Sequence, residues 1–83
     1  MKTWFVYLLK CSDGTMYIGI TNDVKARVAK HNSGQGAKYT RGRTPVVLKR
    51  TFKYKNRSEA SKAEHAFKKL SRTQKLRLIS RRK

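Results

Sequence analysis

Near its start the 83-residue chain reads WFVYLLKCSDGTMYIGI over residues 4–20. Two apolar runs, 4–10 and 16–20, flank the tripeptide Ser-Asp-Gly at 12–14. Apolar runs of this length are typical of β-strands, and serine, aspartate and glycine between two such runs are typical of a tight turn. The stretch therefore predicts a β-hairpin.

The remainder of the chain carries signals for three helices and one more strand. Asn22 or Asp23 is placed to cap a helix that a Ser-Gly pair at 33–34 ends. After a polar loop, the pattern predicts a strand over 46–54, a helix over 58–70 opened by Ser58, and a short basic helix capped by Thr73. The order ββαβαα predicts a single α/β (α+β) domain over residues 1–83, with a three-stranded, mostly antiparallel sheet packed by helices.

The charge of the chain is large and unevenly distributed. It has 22 Lys and Arg against 4 Asp and Glu, a net charge of +18. Residues 24–58 contain eleven Lys and Arg and no acid, and residues 68–83 contain eight more, again with no acid. Such fields attract a polyanion, and nucleic acid is the first candidate. The alternatives are a merely soluble, highly charged surface and an anionic membrane, but the basic segments lack the apolar face that membrane binding needs.

Composition also excludes several classes of protein. Cys11 is the only cysteine, which rules out an internal disulfide framework and a conventional zinc cluster. The apolar run at 4–9 is too short for a signal peptide or a membrane span. We therefore expect a cytoplasmic protein with no membrane partner, and self-repulsion at +18 favours a monomer.

The first predicted helix places two polar side chains on its apolar face. At 100° per residue, Val24, Arg27, Val28 and His31 share one stripe. Arg27 and His31 either point inward with the valines or stand at the edge of the stripe with their tips in solvent.

Among the four acids, one has no evident local structural role. Asp13 lies in the turn, Asp23 can cap a helix, and Glu59 lies in a helical first turn, where the helix dipole favours an anion. Glu64 lies in mid-helix beside the apolar stripe, where a carboxylate needs a cation. That cation is either Lys68, four residues on, or a hard divalent metal ion of the kind that phosphate-ester chemistry uses.

Together these residues resemble the GIY-YIG nuclease domain. The triplet Phe-Val-Tyr at 5–7 is a degenerate form of the first motif, and Tyr-Ile-Gly at 17–19 is an intact second motif. Arg27, His31 and Glu64 follow in the family's order, on elements of the expected type. The resemblance covers nearly the whole chain.

The resemblance implies a role for each of these residues. Glu64 matches the family's sole acidic metal ligand, for one Mg²⁺ or Mn²⁺ ion. Tyr7 and Tyr17 match the motif tyrosines near the scissile phosphate, one of which, with Tyr7 favoured, would help to activate water. Arg27 would stabilise the pentacoordinate phosphorus, a task that suits its bidentate fork. His31 would relay a proton or orient a tyrosine. As a base, a phenol with a pKa of about 10 would need nearby positive charge.

Further residues are expected to bind the nucleic acid. Gly19 would let the substrate backbone approach closely, or would simply make room for a helix. The loop at 36–41, with Pro45 after it, resembles small stand-alone GIY-YIG proteins and related structure-selective endonuclease subunits. The whole polar loop over 34–45, here called the basic loop, has basic and aromatic side chains that either grip phosphates and stack on a base or belong to a solvated loop; they are Lys38, Tyr39, Arg41 and Arg43.

A shared site for both tyrosines restricts the hairpin loop. A two-residue loop would put Tyr7 and Tyr17 on opposite faces of the sheet. We therefore predict a three-residue loop with Gly14 left-handed, which pairs Tyr7 with Gly19 and brings both phenols onto one face.

Two functions follow from this sequence. The first is a divalent-metal-dependent endonuclease that hydrolyses DNA phosphodiester bonds in repair or recombination. The second is a non-catalytic nucleic-acid-binding module with the same fold. Many family members carry a lysine soon after the second motif, where this chain has Ile-Thr at 20–21, so that cation is missing or replaced. A minimal domain also favours activity that depends on a protein partner for specificity.

Overall fold

The computed structural model describes residues 3–36 and 38–80. The element order ββαβαα is confirmed. The elements are β1 (Trp4–Lys10), β2 (Met16–Thr21), α1 (Val24–Asn32), a short 3₁₀ turn (Lys38–Thr40), β3 (Val47–Tyr54), α2 (Arg57–Lys68) and α3 (Arg72–Ser80). Within the described ranges, no helix has both the length and the apolar character to cross a membrane.

The three strands form an antiparallel sheet in the order β2-β1-β3. The Cys11 backbone N–H donates to the Thr15 carbonyl oxygen at 2.8 Å, and Gly14 has a φ of 86°. The hairpin thus has the predicted three-residue loop with a left-handed glycine. Tyr7 lies directly opposite Gly19, as predicted, and Tyr17 lies opposite Leu9. Opposed residues of antiparallel strands share a face, so both phenols lie on the same side of the sheet.

The central strand β1 is buried on both faces, which explains why it reads as a continuous apolar run rather than an alternating one. On one face, Val6 and Leu8 pack with Ile18 of β2 and Ala60 of α2. On the other face, Tyr7, Leu9 and Cys11 pack with Val46, and Val28 of α1 covers them. α1 and α2 therefore lie on opposite faces of the sheet.

Side-chain caps set where each helix begins. Asp23 caps α1, because its Oδ1 accepts the Ala26 backbone N–H at 3.1 Å. Asn56 caps α2 by accepting the Glu59 backbone N–H at 2.9 Å. The predicted start at Ser58 was therefore wrong by one residue, because the asparagine upstream competes equally well for the cap position.

α3 also begins earlier than its predicted cap at Thr73. The Ser71 hydroxyl oxygen accepts the Gln74 backbone N–H at 3.2 Å, and Gln74 Oε1 accepts the Ser71 backbone N–H at 2.9 Å. This reciprocal pair is a capping box, which satisfies two amide groups at once and so outcompetes a single threonine cap.

The hairpin loop yields a stability prediction. We expect Gly14→Ala to lower the free energy of unfolding by about 1–2 kcal/mol, because a Cβ disfavours the left-handed conformation. The cost must come from the backbone alone, since nothing lies within 4 Å of where that Cβ would stand. Urea denaturation measures the change. Gly14→Asn serves as the control and should cost less, since asparagine tolerates this conformation; equal losses for both variants would contradict the explanation.

Candidate active site

A cavity of about 390 Å³ lies at the outer edge of β2 and draws residues from both faces of the sheet. Its lining residues are Trp4, Tyr7, Tyr17, Gly19, Ile20, Thr21, Asn22, Arg27, Arg57 and Glu64. Four of the five predicted catalytic residues thus line one cavity, which we call the catalytic cavity. The fifth, His31, lies directly behind it against Tyr7.

Gly19 explains how a residue of the central strand reaches this edge. A Cβ on Gly19 would lie 2.6 Å from the Tyr7 hydroxyl oxygen, so the phenol lies directly over the glycine backbone. Because no side chain stands at this position, the Tyr7 ring crosses β2 and its hydroxyl reaches the cavity. Gly19 therefore makes room for Tyr7, not for a helix. The Tyr7 and Tyr17 ring centroids are 6.2 Å apart.

A buried hydrogen-bonded chain runs from Tyr7 through His31 to Thr40. The Tyr7 hydroxyl is 3.0 Å from His31 Nε2, and His31 Nδ1 is 2.8 Å from Thr40 Oγ1. Tyr7 and His31 are each 1% exposed and Thr40 is fully buried. The alternative that His31 points its tip into solvent was therefore wrong. A neutral imidazole carries one N–H, so the protons along the chain all point from Tyr7 towards Thr40 or all point the opposite way.

Burial keeps the side chains of this hydrogen-bonded chain neutral. The pKa of His31 is lowered first by desolvation and then by the charge of Arg27. Burial likewise raises the pKa of Tyr7 to about 12, and the Arg27 guanidinium only partly opposes that rise. The sequence suggested that positive charge would make a tyrosine more acidic. Arg27 does act in that direction, but desolvation outweighs it.

Arg27 is half-buried and points its guanidinium into the catalytic cavity. Its Nε is buried and has no hydrogen-bond partner within residues 3–36 and 38–80. An unmet buried donor costs about 1–3 kcal/mol, so it is unusual unless a ligand supplies the acceptor. Arg27 therefore lines the cavity while one of its donors is left unsatisfied by the described residues.

Glu64 pairs with Lys68, the first cation considered for it, and it also lines the cavity in which a divalent metal ion, the second, would bind. Its Oε2 forms an i,i+4 ion pair with Lys68 Nζ at 3.2 Å, and its side chain, 19% exposed, also lines the catalytic cavity. Among the described residues, no three or more His, Cys, Asp and Glu side chains lie together in a group that could hold a metal ion. A lone carboxylate does not form an all-protein cage, but it suits Mg²⁺, which commonly binds one or two carboxylates and completes its shell with water and substrate phosphate.

The basic loop lies outside the catalytic cavity. Lys38 and Arg41 are exposed, while the Tyr39 side chain lies outside the part of the chain that the structure describes. Arg43 instead fastens the loop to the hairpin: its Nη1 lies 3.6 Å from the Asp13 carboxylate and donates to Thr15 Oγ1 at 3.3 Å. Of the predicted nucleic-acid-binding residues whose side chains or backbone the structure describes, Gly19 lines the cavity, and Lys38, Arg41 and Arg43 do not.

The same loop supports His31 from behind. Asn32 Oδ1 accepts the Val46 backbone N–H at 2.6 Å, and Asn32 Nδ2 donates to the Val46 carbonyl oxygen at 3.2 Å, which closes the loop against α1. Gly36 packs so tightly that a Cβ there would collide with the His31 imidazole. Thr40 and Gly36 thus hold the imidazole in place, and no local sequence pattern signals either contact.

Trp4 and Arg57 are two further site residues that were not predicted from the sequence. The Arg57 guanidinium lies 5.5 Å from the centre of the Trp4 ring, and both residues line the catalytic cavity. A signal for Arg57 did exist: it stands seven residues before Glu64, two helical turns away on the same face of α2. Arg57 gives the cavity a second cation besides Arg27, although the chain lacks a lysine after the second motif.

Comparison with known proteins agrees with this fold. The family described as the GIY-YIG catalytic domain matches residues 3–77, and the chain belongs to that family. It is 59% identical over 70 residues to the UPF0213 protein VNG_2274C of Halobacterium salinarum, covering 84% of this chain and 91% of the relative. It is 54% identical over 82 residues to a UPF0213 protein of Staphylococcus aureus, covering 99% and 100%. The solution NMR structure of EF2693 from E. faecalis has a TM-score of 0.64 and 48% identity, over 96% of this chain and 85% of that one.

The raised pKa of Tyr7 predicts a loss of stability at alkaline pH. The folded phenol ionises near pH 12 and the unfolded one near pH 10, so this stabilisation is present below pH 10 and is lost as pH rises to about 12. Two pKa units correspond to about 2–3 kcal/mol of unfolding free energy. Urea denaturation across this range should show the loss in the wild type and not in Tyr7→Phe. Tyr54→Phe, which keeps Tyr7, should show the same loss of stability as the wild type. A tyrosinate absorbance step near pH 10 that only Tyr7→Phe removes would contradict the prediction.

The hydrogen bond to Thr40 predicts a contrast between two substitutions. Thr40→Val keeps the shape but leaves the buried His31 Nδ1 without this partner, so we expect a loss of about 1–3 kcal/mol in unfolding free energy. Thr40→Ser keeps the hydroxyl and should cost less. Imidazole nitrogen chemical shifts should report a changed His31 tautomer balance in Thr40→Val alone. Identical shifts in the two variants would mean that Thr40 does not orient the ring.

Proposed function

We propose that this protein is a divalent-cation-dependent endonuclease that hydrolyses DNA phosphodiester bonds. The observation that carries the proposal is the meeting of two phenols, two guanidinium groups and one carboxylate in a single cavity of a chain with net charge +18. Membership of the GIY-YIG catalytic domain family supports the same reaction class.

The charges of the cavity suit a phosphodiester anion. Arg27 and Arg57 present cationic forks, and arginine binds paired phosphate oxygens with two parallel hydrogen bonds. Both arginines line the cavity in which that anion would lie. As negative charge grows on phosphorus-bound oxygens in the transition state, these donors bind it more strongly than they bind the ground state.

The buried chain behind Tyr7 gives a route for the proton of the attacking water. The Tyr7 phenol, with its raised pKa, does not stand as a phenolate at neutral pH. It can instead accept the proton from water while passing its own proton to His31 Nε2. The lowered pKa of His31 keeps that imidazole neutral at rest, so Nε2 has a lone pair for this proton, and it makes the imidazolium that forms release the proton again after the P–O bond has broken. Water oxygen then bonds to phosphorus, and the leaving oxygen departs with the electron pair of the broken P–O bond and is protonated from solvent.

Glu64 is the residue that would hold the divalent cation. Bound there, Mg²⁺ or Mn²⁺ would supply Lewis-acid stabilisation of the phosphoryl and leaving oxygens. Lys68 would first have to release the carboxylate that it now pairs at 3.2 Å.

The proposal extends to the setting of the reaction. We infer a monomer in the cytoplasm that acts on DNA during repair or recombination, with no membrane partner. A protein partner would then supply specificity.

One observation favours the second candidate, a nucleic-acid-binding module without turnover. In the structure the only carboxylate lining the catalytic cavity, among the residues described, is already neutralised by a lysine. A protein with that pair permanently closed would bind nucleic acid and cleave it poorly.

A plasmid-nicking assay with Mg²⁺ or Mn²⁺ separates the two candidates. We expect Glu64→Gln to lower the nicking rate about 100-fold or more, as loss of a group that stabilises developing charge does, while DNA binding is retained. Glu59→Gln is the matched control, because it removes an exposed carboxylate from the same helix and should nick like the wild type.

Two outcomes would contradict the endonuclease. Equal inactivity of the wild type and both variants would support the binding module. Nicking by Glu64→Gln at the wild-type rate would show that the observed cleavage does not use this carboxylate.

A further inference from the structure

A second cavity, of about 460 Å³, lies beside the catalytic cavity along β2. Its lining residues are Met16, Tyr17, Ile18, Lys68 and Lys75, so it lies where β2 begins, α2 ends and α3 passes. Its volume is within the range of small-molecule sites, about 300–1,000 Å³. Tyr17 lines both cavities and separates them.

The second cavity combines an apolar floor with a basic rim. Ile18 is buried in the core and Met16 packs against it. Lys68, 55% exposed, and the half-buried Lys75 bring two ammonium groups, and no acid is among the described residues that line it. An apolar surface with cations at its edge fits a planar base together with its phosphate.

The two cavities follow one another along α2. Glu64 lines the catalytic cavity and Lys68 lines the second, one helical turn on, about 6 Å along the helix axis. Both cavities open at the outer edge of β2, which pairs with no further strand in the described ranges. A nucleic-acid strand lying along this edge would pass from one cavity to the other across the Tyr17 ring.

We propose that the second cavity is the subsite for the nucleotide next to the scissile phosphate. Its base lies on Met16 and Ile18, and Lys68 and Lys75 bind its phosphate. Cleavage of the neighbouring phosphate rests on the proposed endonuclease, whereas the subsite itself requires only that a strand binds. The proposal also gives Lys68 a second role: a phosphate that draws this ammonium away frees the Glu64 carboxylate for its cation.

The first test measures binding without chemistry. A fluorescent single-stranded oligonucleotide is titrated with the full chain in chelator at several salt concentrations. Lys75→Gln should weaken binding and reduce the salt slope by about 0.7, the value for one lost phosphate contact on a single strand. Lys62→Gln is the matched control, because it removes an exposed lysine of α2 that lines neither cavity. Equal changes in slope for both variants would overturn the subsite, because they would show that only overall charge matters.

The second test asks whether the cavity holds a base. A thymidine oligonucleotide should shift the methyl NMR signals of Met16 and Ile18 and bind about fivefold tighter or more than an abasic strand of the same length. The abasic strand should leave those signals in place. If both strands shift them equally, or neither does, the proposal is wrong. The second of these outcomes would leave the β2 edge to another occupant, such as an extended peptide.

These measurements also separate the subsite from the endonuclease. Base-dependent shifts in a protein that never nicks DNA would support the subsite and contradict the nuclease. Nicking with an unchanged KM in Lys75→Gln would overturn the subsite and leave the nuclease standing.

Discussion

The register of the first hairpin is the constraint on which the site depends. Side chains alternate along a strand, so a slip of one residue between β1 and β2 would send Tyr17 to the α2 face, away from Tyr7. The three-residue loop with its left-handed Gly14 sets that register and places Gly19 beneath the Tyr7 phenol. The empty position at Gly19 then lets a residue of the central strand share a cavity with residues of both helical layers.

Electrostatically, the site holds a neutral interior inside a strongly basic chain. Desolvation outweighs the nearby guanidinium in setting the pKa of Tyr7, and it also keeps His31 uncharged. Both groups are therefore uncharged at rest. Arg27 belongs to both environments: its charge disfavours a protonated His31, and it also lines the catalytic cavity.

The two cavities along the outer edge of β2 differ in chemical character. The catalytic cavity is mostly polar and contains the carboxylate, whereas the second cavity has an apolar floor and lysines, and Tyr17 stands between them. The Glu64–Lys68 pair joins the two, because its acid belongs to one cavity and its base to the other. A polyanion that engages the lysine competes directly with that pair, which couples occupation of the edge to the state of the carboxylate.

The sequence by itself determined the hairpin, the element order and the helix face that Arg27 and His31 share, because turn chemistry and periodicity act between near neighbours. The three-residue loop was predicted on another ground, the requirement that Tyr7 and Tyr17 share one site. It also singled out Glu64, by elimination among only four acids. Only the tertiary structure decided how deeply His31 is buried, that Thr40 and Gly36 hold it, and that Arg43 ties the loop to the hairpin instead of facing the cavity. Those outcomes depend on contacts between segments distant in sequence and on the water they exclude. No local pattern encodes the resulting desolvation, and that desolvation sets the protonation states of the site.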